Sequence, residues 1–240
     1  MNLHLVIGTP MYGGMCTSEY TQSLLNLSES ANKSDVKLTT IFLGNESLIQ
    51  RGRNTVAHHF MNLPDATHLL FIDADIKFRT QDIVKMIAAD KSLIVGPVAL
   101  KGYNWDEIRQ AAVNNEDDIG RTGGVFNINK LPGIDMVDEN TPFEIEHGGN
   151  AFMMIRRDVF ETLKPHTPIY TNGGRSLPDG VEIYDYFRVE INKDTNHLLS
   201  EDYFLCHSYR QLGGKVWCAP WVETGHFGSH LFNGKYSRNN

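Results

Sequence analysis

Apolar residues in the first hundred positions fall into short solid runs separated by stretches with helical spacing. Residues 3–8 form an apolar run that ends in Gly-Thr-Pro, which predicts a buried strand. Residues 17–30 open on Thr and Ser and carry apolar positions at helical intervals, which predicts a helix. A β-branched, apolar run over 36–43 predicts a second strand, and 48–63 a second helix despite Gly52. The same reading gives a strand over 67–72, a helix over 80–89 and a strand over 92–98. Strands that alternate with helices predict an α/β fold whose mostly parallel sheet is covered on both faces.

Beyond residue 100 the pattern loosens. Residues 104–115 predict a short helix. Residues 123–150 mix Gly and Pro with short alternating runs, which predicts antiparallel strands or a hairpin. An apolar run over 150–155 precedes a helix over 156–163. Three prolines and three glycines over 165–180 predict a mobile loop. A helix over 200–212, a strand over 215–219 and a Gly- and His-rich tail from Thr224 complete the reading. No repeat and no linker divides the chain, so residues 1–240 are expected to form one domain, with a nucleotide-binding half over 1–100 and an acceptor-binding half over 101–240.

The chain has 240 residues, 41% of them hydrophobic and 21% charged. That composition fits a globular protein and excludes disorder or a rod. Acidic residues outnumber basic ones by 29 to 22, which argues against nonspecific nucleic-acid binding, since phosphate contacts need clustered Lys and Arg. The three cysteines, Cys16, Cys206 and Cys218, have no metal-binding or disulfide spacing. With no signal-peptide pattern and no run of about 20 apolar residues, a cytoplasmic location is expected, in the host cell if the chain is viral.

Three motifs carry candidate chemistry. His68-Leu-Leu-Phe-Ile-Asp-Ala-Asp-Ile76 is an apolar strand that ends in Asp73 and Asp75. In open α/β sheets ligands bind beyond the carboxyl ends of strands, where two carboxylates suit a hard divalent cation. The plainer role is to cap the following turn. In Leu199-Ser-Glu-Asp-Tyr-Phe-Leu205, Ser200 caps a helix whose first turn holds Glu201 and Asp202. Such acids complement the helix dipole, and one of them can also serve as a general base. In Glu223-Thr-Gly-His-Phe-Gly-Ser-His230, His226 lies between glycines. It is either a structural residue or a metal ligand. Gly225 and Gly228 argue against a helix that would pair His226 with His230 as zinc ligands.

These motifs occur in the order seen in GT-A-fold glycosyltransferases, and the chain resembles the compact family 2-like, Anp1-type and algal-virus-type members. Arg53-Asn54 on a helix precedes Phe71-Ile-Asp-Ala-Asp-Ile76. Gly148-Gly-Asn-Ala-Phe-Met-Met-Ile-Arg156 resembles the central glycine strand, and Ser200-Glu-Asp-Tyr-Phe204 before Gly213-Gly-Lys-Val-Trp217 the acidic helix and next strand. The resemblance implies a metal-dependent hexosyl- or pentosyltransferase that uses a UDP- or GDP-linked sugar. It implies that Asp73, Asp75 and His226 bind Mn²⁺ or Mg²⁺. Thr9, Pro10, Tyr12, Arg53, Asp73, Asp75, Gly148 and Gly149 would contact the donor, with His147 at the edge of the sugar pocket. Asp202 would deprotonate the acceptor if the reaction inverts, with Glu201 beside it. The acceptor is a glycan, a lipid or a modified nucleobase. Gly52, inside the Arg helix, departs from the family pattern.

Other residues are open to both readings. Of His58 and His59 on the Arg helix, at least one is expected to be a surface or core residue. Lys101, Tyr103 and Trp105 either grip a sugar or pack, and Tyr184-Asp-Tyr-Phe-Arg188 is a candidate lid. Two other classes compete. A phosphoryl- or nucleotidyl-transfer enzyme also suits Asp-x-Asp, but Ile76-Lys77 replaces the usual phosphatase continuation. A noncatalytic nucleotide-sugar-binding module would not need the acids and the histidine together.

Overall fold

The computed structural model describes residues 3–117, 119, 123–133, 138–173 and 177–229. The first half runs β1 (His4–Met11), α1 (Ser18–Lys33), β2 (Lys37–Gly44), α2 (Ile49–Met61), β3 (His68–Ile72), β4 (Ile76–Lys77), α3 (Thr80–Ala88) and β5 (Leu93–Val95). The second half runs α4 (Trp105–Val113), β6 (Ile128–Lys130), β7 (Phe143–Gly148), β8 (Phe152–Arg156), α5 (Arg157–Leu163), β9 (Ile169–Thr171), β10 (Glu182–Tyr184), β11 (Glu190–Ile191), β12 (Leu198–Leu199), α6 (Glu201–Gln211), β13 (Val216–Cys218) and β14 (Gly225–His226).

The α/β class is as expected. Eight strands form one sheet in the order β2-β1-β3-β8-β5-β13-β7-β6. The expectation of a mostly parallel sheet needs correction, because the sheet is mixed. β1 runs parallel to β2 and β3, and β5 to β13. β8 enters antiparallel between β3 and β5, and β7 lies antiparallel to β13 and β6. The solid apolar runs follow from burial on both faces. Alternate side chains serve two cores: Val6, Leu69, Phe71, Met153 and Ile155 face one, and Leu5, Ile7, Leu70, Ile72 and Met154 the other.

Two segments expected to be loops carry defined structure. Within 165–180, β9 pairs antiparallel with β10; residues 174–176 lie outside the described ones. The segment 184–188 is packed against the core. Tyr186 and Phe187 are buried, and the Phe187 ring meets Phe71 edge-on at 5.3 Å. Buried Asn54 clamps this segment, donating from Nδ2 to Asp185 Oδ1 at 2.8 Å and accepting the Phe187 N–H at 2.9 Å. Asn54→Ala would strand both partners, and a loss of about 2 kcal/mol is expected in denaturant unfolding. An unchanged midpoint would refute the clamp.

Gly52 does not interrupt α2. The helix runs through it, with Leu43, Glu46 and Pro10 beside its first turn.

Candidate active site

Three chain segments converge at the carboxyl ends of β1 and β3. The turn from β3 to β4 carries Asp73 and Asp75. β14 pairs antiparallel with β4, setting His226 opposite Ile76. The Phe227 N–H donates to the Asp75 carbonyl at 3.0 Å. This two-residue pairing brings His226 Nε2 to 3.5 Å from Asp75 Oδ2.

The His226 ring is oriented from behind. Its Nδ1 lies 2.7 Å from the Ala99 carbonyl, which only accepts, so Nδ1 carries the proton. Nε2 is the ring nitrogen turned toward Asp75, and in the neutral ring it would carry the lone pair. A carbonyl behind the ring that fixes the free nitrogen is the usual support of a metal-binding imidazole. One imidazole nitrogen and one carboxylate oxygen, with room for phosphate oxygens, suit Mn²⁺ or Mg²⁺. The residues present therefore fit the ion through Asp75 and His226. Asp73 turns Oδ1 to Arg53, and among the described residues no three His, Cys, Asp or Glu side chains gather as a complete ligand set.

Asp73 instead meets Arg53. The α2 side chain is 4% exposed; Nη2 lies 3.2 Å from Asp73 Oδ1 and Nε 3.2 Å from Glu201 Oε1. Burial works against the guanidinium charge, but Asp73, Glu201 and Asp202 outweigh it and hold the Arg53 pKa above its ordinary value. The Phe71 ring lies under the guanidinium, 5.3 Å away. Burial and the neighbouring Asp202 push the Glu201 carboxyl above the usual range, against the pull of Arg53.

Asp202 lies in the first turn of α6, buried. Its Oδ1 accepts from Ser200 Oγ and, at 2.8 Å, from the Tyr203 N–H; its Oδ2 accepts the Asn150 N–H at 3.3 Å. Ser200 sits at the helix N-cap but spends its hydroxyl on Asp202 rather than on the backbone. The carboxylate is thereby fixed in position.

Two cavities share Ile49 and Asp73. The first, about 310 Å³, is lined by Arg53, Asp73, Gly149, Glu201, Asp202 and His226 among others. The second, about 500 Å³, lies between the ends of β1 and β2 and the two acids, lined by Pro10, Tyr12, Glu46, Asp73 and Asp75 among others. Tyr12 is 75% exposed and offers its ring to a planar ligand.

Some expected roles change. Thr9 is fully buried, and its Oγ1 is paired with Tyr20 Oη at 2.6 Å, so its side chain does not face the second cavity. The cause is that β1 continues to Met11, leaving Thr9 mid-strand. Gly149 lines the first cavity but Gly148 does not. A side chain on Gly148 would come within 2.9 Å of Val95, so it faces the core. His147 is buried against Tyr203 in a ring stack of 5.1 Å, away from the cavity lining, and burial lowers its pKa. Arg53 bridges Asp73 and Glu201 in the structure and lines the first cavity. His58 and His59 lie in the last turn of α2, outside both cavities. His230 lies outside the described residues.

The sequence reading missed several lining residues. Glu46 is held by Arg51 in a two-pronged pair at 2.6 and 2.7 Å, which lowers its pKa. Asn127 receives the Tyr203 hydroxyl and borders Gly149. Neither carries a motif; only the fold brings them to the site.

No family model matches the sequence, and neither does any curated protein. The chain resembles A197 from STIV. The two structures superpose with a TM-score of 0.50 over 98% of each chain at 13% identity. That likeness shows a shared fold alone. A glycosyltransferase involved in the glycosylation of the major capsid of PBCV-1 aligns over 68% of this chain and 64% of its own, at 8% identity and a TM-score of 0.33. Residues 1–349 of S. aureus TarS align over 70% and 50%, at 11% identity and a TM-score of 0.34. These two scores are too low to add to the first. Among the described residues no helix is long and apolar enough to cross a membrane.

Proposed function

We propose that this chain is a glycosyltransferase that moves a sugar from a UDP- or GDP-linked donor to an acceptor hydroxyl. The observation that carries the reading is the pairing of β4 with β14, which sets Asp75 beside His226 at the rim of a cavity that also holds Glu201 and Asp202. A cation site next to a fixed carboxylate suits a sugar transfer that inverts configuration.

The larger cavity, of about 500 Å³, is of a size for a nucleoside diphosphate, with the base over Tyr12 and the phosphates toward Asp75. Asp75 and His226 would hold the divalent ion. When bound, that ion stabilises the negative charge that develops on the departing diphosphate. Arg53 keeps Asp73 and Glu201 in fixed positions between the two cavities. The acceptor hydroxyl enters the smaller cavity, and Asp202 takes its proton as it attacks the anomeric carbon from the face opposite the diphosphate. Holding both reactants in adjoining cavities supplies the proximity term. The acceptor is a glycan, a lipid or a modified nucleobase.

Calorimetry with UDP and GDP tests the reading. Binding is expected with Mn²⁺ and at least about tenfold weaker with a chelator, and Asp75→Ala should abolish the difference. Equal affinity with and without the ion would refute the metal role. A panel of nucleotide sugars should then yield one from which the wild-type chain releases nucleoside diphosphate. Tight binding with no release from any donor would favour a noncatalytic module.

A further inference from the structure

The Asp75–His226 pair already has a cation against it. Lys101 Nζ lies 2.5 Å from the same Oδ2 of Asp75 that faces His226 Nε2. Lys101 belongs to the segment after β5, whose Ala99 carbonyl orients the His226 ring. The lysine stem also passes Gly228, two residues after His226: a Cβ there would lie 2.7 Å from Lys101 Cδ and 3.2 Å from Cε. The Asp75 carboxylate attracts positive charge, and His226 Nε2 lies beside the same oxygen. The ammonium supplies that charge in the structure.

We propose that Lys101 and a divalent ion are alternative occupants of one cation site formed by Asp75 and His226. The inference rests on the metal role in the function proposed above. Two like charges within a few ångströms repel, so the ion enters only as the ammonium leaves Asp75. A nucleoside diphosphate gives the displaced ammonium a new partner in its phosphate oxygens. The ion alone is therefore held weakly, and the nucleotide and the ion strengthen each other's binding, as linkage requires. The site does not close on an ion without its donor.

The test is titration of Mn²⁺ into the full chain without nucleotide, followed by the paramagnetic resonance of free Mn²⁺. Lys101→Met is expected to bind Mn²⁺ about tenfold more tightly than wild type, the factor that loss of one charge-assisted contact supplies at a partly exposed site. Lys101→Arg should keep the wild-type affinity, and Asp75→Asn should lose binding. With UDP or GDP present, the gap between wild type and Lys101→Met should narrow. Lys101 is half-exposed, so these variants test the site rather than folding. Equal Mn²⁺ affinity in wild type and Lys101→Met, with binding lost in Asp75→Asn, would overturn the shared site and leave the sugar-transfer reading intact. No Asp75-dependent binding in any variant would overturn this inference together with the metal role.

Discussion

Arg53→Met is expected to destabilise the protein by about 3–5 kcal/mol at neutral pH, the cost of removing one partner from a buried ion pair. The side chain is 4% exposed and faces three carboxylates, Asp73, Glu201 and Asp202. Methionine fills much of the volume, so the loss reports charge rather than a cavity. The pH dependence gives the sign. Burial and Asp202 already raise the folded-state pKa of Glu201. A raised carboxyl contributes stability that is present below its unfolded value and is lost as pH rises through the folded value. Removing Arg53 removes the attraction that opposes this rise. The deficit of the variant relative to wild type should therefore shrink as pH falls from neutral toward the carboxylate range. Thermal melts of both proteins across that range check it. A deficit that stays constant, or grows on acidification, would show that Arg53 acts through packing. Arg53→Lys should recover only part of the loss, because one ammonium cannot reach Asp73 and Glu201 with the planar fork.

The sheet was legible where burial on both faces leaves solid apolar runs. Its strand order was less so. Residues 152–156 read as apolar, but nothing in a run buried on both faces records its direction or its neighbours. Only the structure reveals β8 as antiparallel between β3 and β5. Gly8-Thr9-Pro10 read as the end of a strand. In fact β1 loses β3 after Gly8 and continues beside β2 alone, where a proline is tolerated. Asp73, Asp75, Glu201, Asp202 and His226 were legible because acids at a strand end or a helix start, and a histidine between glycines, are local patterns. Their pairing was not. Arg53 meets Glu201 across 148 positions, and Asn54 meets Asp185 across 131. The aromatic segment 184–188 read as a candidate lid because its clamp sits on a distant helix. Lys101 stayed open between a sugar contact and packing because its partner, Asp75, arrives from another strand end.

Asp202→Asn is expected to separate chemistry from binding. Turnover should fall by about 10²–10⁴, the contribution of a general base, while donor affinity stays within severalfold. The substitution keeps size and helix position but leaves an amide that cannot take a proton. It also alters the local hydrogen bonds. The amide oxygen can still accept from Ser200 Oγ and the Tyr203 N–H, whereas an amide nitrogen in place of Oδ2 faces the Asn150 N–H at 3.3 Å, donor to donor. That contact is long, so a modest loss of stability is expected beside the large loss of rate. Glu201→Gln is the control. Glu201 lines the same cavity, but Arg53 holds its Oε1. If Asp202 is the base, Glu201→Gln should retain most of the turnover and show instead a changed melting temperature through its link to Arg53. The paired measurements are kcat for transfer and Kd for the nucleoside diphosphate with Mn²⁺. Turnover that survives in Asp202→Asn but collapses in Glu201→Gln transfers the role to Glu201. Turnover that survives in both excludes an enzymic base at this helix and points to a reaction that retains configuration. Loss of donor affinity in Asp202→Asn would make Asp202 part of the donor site, and the division of the two cavities into donor and acceptor sides would fail with it.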